Sequence, residues 1–423
     1  QVETHGKPLS KTKASYPDTI RNLGGDPEDA FVIFGDVAAH YRKVLDTRRK
    51  EVAKFNKEYT AWQSSNSDLA ALLAGYLSGE APSLNWNEVQ LGQNEATRNA
   101  SGKILGYLAE NVGNMIVMSA DLSNSDMTEG FLKKSRPFTK NDFSGGFLHA
   151  GVSELTMAAL CTGMALHGGV IPVCATFFAF SDYMKPVLRI AAPMDHPAKF
   201  LWTHDAFRVG EDGRTHQPVE QEAQLRLLEK LHNHSGIPSF LALRPADSAE
   251  TLHAWKLLLE THNRPGGLIL SRQNIHDLPA INQNRLTEAG QLAYGAYIAY
   301  AQSEDADILF LGNGSEVATL VEAAVKLEQH SHYRVRVVSV PSEGLFRQQS
   351  QPYQRSVIPD GVPILGLTAG LPATLESLVR DNGKVFGLNH FGYSAPYTVL
   401  DEKFGFTSEN VMKLALQVID EST

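Results

Sequence analysis

The stretch PAKFLWTHDAFRVGEDGRTHQPVE, residues 197–220, changes character in its middle. PAKFLW reads as the end of a buried strand. The polar segment after it holds His204, Asp205, Glu211, Asp212 and His216. Gly210 and Gly213 bracket the acidic pair, and glycines permit positive φ and close backbone approach, so this segment is a loop rather than a helix. A polar loop following a buried strand is where α/β proteins place ligand-binding groups. One histidine there would read as part of a hydrogen-bonded surface turn. Two histidines, two glycines and three carboxylates together read as a site.

On both sides of the loop, strand and helix patterns alternate. Upstream, 96–111 is a predicted helix and 115–119 a buried strand. A helix follows over 153–167, with Ser153 as N-cap and Gly168-Gly169 as its stop, then a strand over 170–175. Downstream, 220–231 is helical, and 240–244 and 268–271 are strands. Beyond a polar connector at 279–286, a strand (307–312), a helix (316–329) and a strand (334–340) repeat the pattern. Such alternation predicts parallel sheets held between layers of helix. At the other end, 1–35 reads as an irregular connector. Residues 36–80 are helical, with Tyr41, Val44, Leu45, Val52 and Phe55 at helical spacing, and 81–94 is a linker. The expected organisation is a connector and helical linker over 1–93, one α/β domain over 94–278 and a second over 287–423.

A chain of 423 residues suffices for two or three domains, and 43% apolar with 20% charged residues is ordinary for a globular protein. A net charge of −9 argues against a nucleic-acid or membrane surface as partner. The two cysteines, Cys161 and Cys174, lie in apolar runs and give no disulfide framework, which fits a reducing compartment and a cytoplasmic protein. There is neither a run of apolar residues long enough to span a membrane nor a signal peptide. The chain starts at Gln1 rather than Met, which suggests that sequence precedes it.

Other residues stand out singly. Glu154 falls in a first helical turn, where a carboxylate suits the helix dipole. Phe177, Phe180 and Tyr183 recur at three-residue spacing just past a strand, a stripe that serves equally as core or as the wall of a pocket. Asp121 sits at a strand's C-terminal end, as a helix cap or a ligand contact. GNGSEV (312–317) lies between a strand and a helix; its amides suit an anion, or simply a tight turn. HNH at 232–234 and HSH at 330–332 read as solvated helix ends rather than metal ligands.

SADLSNSD (119–126), GVSEL (151–155), ATFFAFSDYM (175–184), RPAD (244–247), LSRQN (270–274), GNGSEV (312–317) and FGYSAPY (391–397), together with the 203–220 loop, resemble in order the stations of transketolases. These are thiamine-diphosphate enzymes of the pentose phosphate pathway, and the resemblance runs almost continuously from about residue 94 to the end. It implies a pyrimidine-binding domain of the thiamine-diphosphate fold followed by a transketolase C-terminal domain. Glu154 matches the glutamate that bonds the cofactor's aminopyrimidine, and Phe177, Phe180 and Tyr183 match the aromatic pocket around that ring. Asp121 matches an acid near the cofactor. Arg98, Ser125, His204 and Arg272 match the grip on the substrate phosphate, for which arginine's forked donors are suited. Asp212 matches the acid that reads the substrate's C2 hydroxyl, and His216 the histidine that bonds the donor's hydroxyls. His5 matches a histidine that helps proton transfer near the thiazolium.

Three features depart from the family. Ser153 and Leu155 flank Glu154 where an arginine and a histidine or aromatic residue are common. Arg208 and Arg214 stand where the loop usually has Gly and Pro, two extra cations expected beside the sugar site. No GDG motif occurs, so no Mg²⁺ site for the diphosphate is evident, and its ligands are expected on a diphosphate-binding domain that this chain lacks, in the same or a separate chain. The implied enzyme transfers a two-carbon ketol unit between sugar phosphates as a homodimer, this chain alone being a partial and inactive enzyme. A dihydroxyacetone-synthase-like relative and a non-catalytic transketolase-like subunit are the alternatives.

Overall fold

The computed structural model describes residues 5–422. It divides into two compact units, Gln1–Ala74 and Gly75–Thr423. The first is helical. Ser15 accepts the Asp18 N–H at 3.2 Å and Pro17 follows it, so a short helix, Tyr16–Asn22, forms inside the stretch expected to be irregular. The Gly35–Ser65 helix carries the anticipated apolar stripe, although none of its residues is buried. It stops at Asn66, whose side-chain amide donates to the Trp62 carbonyl at 2.9 Å.

The second unit holds two sheets. The first comprises β1 (Met115–Ser119), β2 (Phe147–His149), β3 (Ile171–Phe177), β4 (Lys199–Thr203), β5 (Leu241–Leu243) and β6 (Gly266–Leu270). Their order is β2-β1-β3-β4-β6-β5, and every pairing is parallel. Alternate residues serve opposite faces. Val117, Val173, Leu201 and Leu268 pack under the Thr97–Asn111 and Ser248–Glu260 helices, with Trp255 fully buried. Met118, Cys174, Trp202 and Ile269 pack on the other face under Glu154–His167, Ser181–Ala191 and Gln221–Glu229. Covering on both faces explains why these strands read as continuous apolar runs.

The second sheet comprises β7 (Tyr297–Ala301), β8 (Ile308–Gly312), β9 (Val335–Ser339), β10 (Ile364–Leu367) and β11 (Gly383–Phe386), in the order β11-β10-β8-β9-β7. Only β7 is antiparallel, at the edge beside β9. The Glu316–His330 and Ser408–Ser422 helices cover one face. The Glu343–Arg347, Gln351–Val357 and Ala373–Val379 helices cover the other. Each sheet is thus the middle of a three-layer α/β/α lobe, the expected class. Among the described residues, no helix is long and apolar enough to cross a membrane.

Candidate functional site

The C-terminal edge of the first sheet gathers side chains from four strand ends. β4 ends at Thr203, and His204 follows at φ 62°, a left-handed conformation rare outside glycine. This turns the imidazole back over the edge. Phe177, the last residue of β3, stacks on it with ring centroids 3.6 Å apart and planes at 26°. Phe180 stacks on Phe177 at 5.8 Å, and His216 meets the edges of both, 6.2 Å from Phe177 and 5.3 Å from Phe180. The loop thus brings its two histidines onto one pair of aromatic rings.

The cationic side is set by a lacing between the Thr97–Asn111 helix and the end of β6. The Thr97 N–H donates to Ser271 Oγ at 3.0 Å, and the Ser271 N–H donates to Thr97 Oγ1 at 2.7 Å. These bonds place Arg98 and Arg272 at one corner. Arg98 Nη1 donates to the Ser125 carbonyl at 2.8 Å and lies 3.4 Å from His204 Nε2.

Electrostatics fix the roles there. Burial, helped by the positive charges of Arg98 and Arg272 and by His216, pushes the His204 pKa down to about 2. The ring is neutral at any working pH. Facing an arginine donor, its Nε2 can only accept, and Nδ1–H points to Thr203 Oγ1 2.8 Å away. Burial and Arg272 lower the Arg98 pKa to about 10, opposed by Asp126, and leave it a cation.

Asp126 is a residue that the sequence did not single out. It is fully buried, and burial lifts its carboxyl to about 6 against the pull of Ser119, Thr128 and Arg98. Ser119 and Thr128 hydroxyls donate to it at 2.6 Å each and the Thr128 N–H at 2.9 Å. Its signal was present in S-N-S-D-M-T, where an Asp accepts from the amide two residues on.

Glu154 opens its helix after β2, on the same sheet edge, and is 8% exposed. Its carboxylate has no hydrogen-bond or ion-pair partner among the described residues. Its helix packs against Ser181–Ala191, which carries Tyr183. Tyr183 touches Phe180 at 6.2 Å but is 61% exposed. Ser125 turns its carbonyl, not its hydroxyl, toward Arg98. Arg272 is half-buried with no side-chain bond among the described residues. Asp121, at φ 64°, and Asp212 are both exposed and touch none of these groups. His5 is exposed within the Gln1–Ala74 unit.

Residues 93–277 match the family model of the transketolase pyrimidine-binding domain, and residues 295–407 match the transketolase-like C-terminal domain. A transketolase of Staphylococcus epidermidis is 36% identical over 414 residues, 97% of this chain and 60% of the relative. The chain belongs to the transketolase family. It spans about three fifths of the length of the curated transketolases it matches. Among solved structures, transketolase from Leishmania mexicana superposes with a TM-score of 0.86 at 31% identity, over 96% of this chain and 57% of that one. A Pichia stipitis transketolase in complex with sedoheptulose-7-phosphate gives 0.82 at 31% identity, over 95% and 58%. A split-gene transketolase, an inactive β4 tetramer, shares the fold at TM-score 0.59 and 22% identity, over 78% of this chain and 100% of that one.

Against this transketolase frame some expectations change. Ser153 precedes the Glu154 helix, but its hydroxyl donates to the Ala150 carbonyl at 2.8 Å and does not cap it. Arg208 is not a free cation beside the sugar site; it is buried and bonded to Asp401, Ser315 and Glu316 of the second lobe. Asp205 faces Arg244 at 2.7 Å rather than the histidines. The GNGSEV turn is filled by Arg244, which lies where a Cβ on Gly314 would meet it at 2.7 Å, so this turn is not an open anion nest. A cleft of about 460 Å³ opens between the lobes beside Arg208 and Asp401, and none of the candidate site residues lines it. Among the described residues, no group of three or more His, Cys, Asp or Glu converges as metal ligands would.

Proposed function

We propose that this chain supplies the pyrimidine and sugar-phosphate sides of a transketolase active centre, which moves a two-carbon ketol unit from a ketose phosphate to an aldose phosphate. The observation carrying the reading is the corner where Arg98, Arg272, His204 and His216 meet the Phe177–Phe180 pair. The domains are taken as 94–278 and 287–423, and the setting as cytoplasmic.

Thiamine diphosphate, when bound, supplies the electron sink for the two-carbon unit. The residues fit its aromatic end: a buried, unpartnered carboxylate at Glu154 and a stacked aromatic pair at Phe177 and Phe180. In this reading Glu154 holds a proton against the aminopyrimidine, and Phe180 and Tyr183 keep water from the ring. Asp121 is assigned to the cofactor's surroundings. Arg98 and Arg272 bind the substrate phosphate, and neutral His204 steadies Arg98 from the side while the Ser125 carbonyl holds it from below. His216 and Asp212 are assigned to the sugar hydroxyls, and His5 to proton transfer. The Pichia stipitis complexes with sedoheptulose-7-phosphate and xylulose-5-phosphate support sugar phosphates as the substrate class. The described residues do not fit the metal-bound diphosphate. We assign Mg²⁺ and diphosphate to a diphosphate-binding domain outside these 423 residues, and the pairing of the two halves to a homodimer.

The test is reconstitution. With a diphosphate-binding domain of a related transketolase, thiamine diphosphate and Mg²⁺, the chain should turn over xylulose 5-phosphate and ribose 5-phosphate in a coupled assay. Glu154→Gln should fold and lose turnover, because an amide cannot exchange the proton. Near-normal rates for that variant remove Glu154 from the reaction. No turnover by the reconstituted wild type favours the non-catalytic alternative.

A further inference from the structure

The 203–220 loop belongs to the first lobe, but it is moulded on the second. Arg208 Nε donates to Asp401 at 2.7 Å, and Nη1 donates to Ser315 Oγ at 2.9 Å and to Glu316 at 3.1 Å. Gln217 Nε2 donates at 2.9 Å both to the Gly210 carbonyl within the loop and to the Tyr393 carbonyl of the second lobe. Ser394 Oγ donates to the Glu211 carbonyl. Gly210, at φ +88°, leaves 3.4 Å between a hypothetical Cβ and the Ala395 carbonyl, and Gly213, at φ +76°, sits equally close to Ser394. Phe207 packs its ring against Phe404 and Phe406 at 5.1 and 4.9 Å. From Phe207 to Gln217, therefore, the side-chain contacts on the loop from outside it come largely from the second lobe, from 315–316 and 391–406, while its own lobe holds Asp205 through Arg244 and the two histidines against Phe177 and Phe180.

We propose that the second lobe is the positioning element for the substrate-binding loop, and that Arg208 is its principal positioning residue. This rests on the sugar-phosphate reading of the site, and gives the C-terminal domain a function in it. Arg208 touches neither His204 nor His216. It acts by fixing the turn from which His216 returns to the aromatic pair, so specificity at the sugar hydroxyls depends on residues of a lobe that contributes no group to the site.

The experiment uses the full chain and two readouts that need no turnover. Amide hydrogen exchange is followed across the loop, and the His216 imidazole resonance is followed in the free chain and with inorganic phosphate. Arg208→Ala should speed exchange at 205–217 and 391–397 at least tenfold, leave β4 and β6 protected and shift the His216 resonance. Arg208→Lys, which keeps one charged donor, should restore the wild-type pattern in part. Arg334→Ala, which removes an exposed ion pair to Asp305 and Asp307 in the same lobe, should change none of these. If Arg208→Ala does not fold, Asp401→Asn removes one of the anchors and should give the same pattern more weakly. Loop exchange and a His216 signal like wild type in the variants overturn the proposal. So does faster exchange spread evenly over the second lobe, the mark of general destabilisation. Failure of the phosphate-site reading is separate: phosphate would leave the wild-type histidine signals unmoved whatever Arg208 does.

Discussion

Replacing Arg244 by methionine should cost this chain much of its stability, and the loss should depend on pH. Arg244 follows β5, is 1% exposed, and its guanidinium faces three carboxylates: Asp205 at 2.7 Å, Glu316 at 2.6 Å and Glu222 at 3.2 Å. Asn313 takes a further bond at 2.8 Å. In the connected network Arg208, Arg226 and Arg244 face Asp205, Glu222, Glu229, Glu316 and Asp401, so carboxylates already outnumber cations. Burial raises Glu316 and Asp401 against the pull of their arginines, whereas the arginines hold Glu222 below the usual carboxylate range in spite of burial. Methionine keeps an unbranched apolar stem and removes the guanidinium. Breaking a buried pair by deleting one partner costs about 3–5 kcal/mol; Arg244→Met strands Asp205 and leaves Glu222 and Glu316 with only Arg226 and Arg208, which places it in that range. That is a large part of a domain's ordinary margin of about 5–15 kcal/mol.

The sign of the pH effect follows from linkage. Without the guanidinium, Glu316, already raised by burial, loses its largest opposing charge and is raised further, and a group with a raised folded pKa loses its contribution as pH rises. The wild type behaves oppositely at Glu222, whose depressed pKa contributes stability that is lost as pH falls. Both trends make the gap between variant and wild type widest near pH 8 and narrowest near pH 5. Urea unfolding of the two proteins at both pH values measures it. A loss under about 1 kcal/mol at pH 8, the value of a surface pair, refutes the reasoning, as does a gap that grows on acidification.

Arg272→Ala should raise KM for phosphorylated acceptors in the reconstituted enzyme by roughly ten- to a hundredfold, the equivalent of a charged hydrogen bond of about 1.5–3 kcal/mol, while unphosphorylated acceptors change little; equal losses on both would remove Arg272 from phosphate binding. Nitrogen-resolved NMR of His204 should give a neutral Nδ1–H ring throughout the range from pH 5 to 8, since burial and the neighbouring cations hold its pKa at about 2; a titration near the usual histidine value would mean the Arg98 contact is not formed. The chain alone should bind thiamine diphosphate feebly and without Mg²⁺ dependence in calorimetry, the aromatic end being the part it fits; tight, Mg²⁺-dependent binding would mean that the diphosphate site lies within these residues.

The layered fold was legible because both sheets are buried on both faces. The 115–119 strand and the cores of the 199–203 and 335–339 strands read as continuous apolar runs, and the helices between them ended at glycines or polar turns. What escaped had less local signal. β2 is three residues long and pairs only at an edge, so its pattern is too short to read. Helix Ser181–Ala191 contains Pro186, which argues against a helix, yet Met184, Leu188 and Ala191 are buried on its inner face. At the candidate site, residue types on one loop were legible; who pairs with whom was not. Arg208 looked like a free cation because its partners, Asp401 and Glu316, lie 193 and 108 residues away. Asp205 looked like a site acid because Arg244 lies 39 residues downstream. Long-range charge pairing leaves no periodicity in the chain.

That distinction separates two charge clusters built from the same residue types. Between the lobes, each arginine has its carboxylates, and their charges push Arg226 and Arg244 above the usual arginine range in spite of burial. Such a cluster is complete in itself, and its effect is to hold the lobes in register. At the sheet edge the balance is reversed. Burial and Arg272 lower Arg98, burial and both arginines force His204 neutral, Arg98 Nε is buried without a partner among the described residues, and the carboxylate that opposes them, Asp126, already accepts from two hydroxyls and an amide. Folding alone would not favour assembling that corner, since two guanidiniums and an imidazole crowd together with a single counter-charge. A doubly charged phosphate entering there would relieve the repulsion and take the free donors, whereas an uncharged sugar could accept from the donors but would leave the repulsion in place. Local excess of positive charge, set against a chain that is acidic as a whole at −9, is therefore the physical support for the proposed phosphorylated rather than neutral substrate.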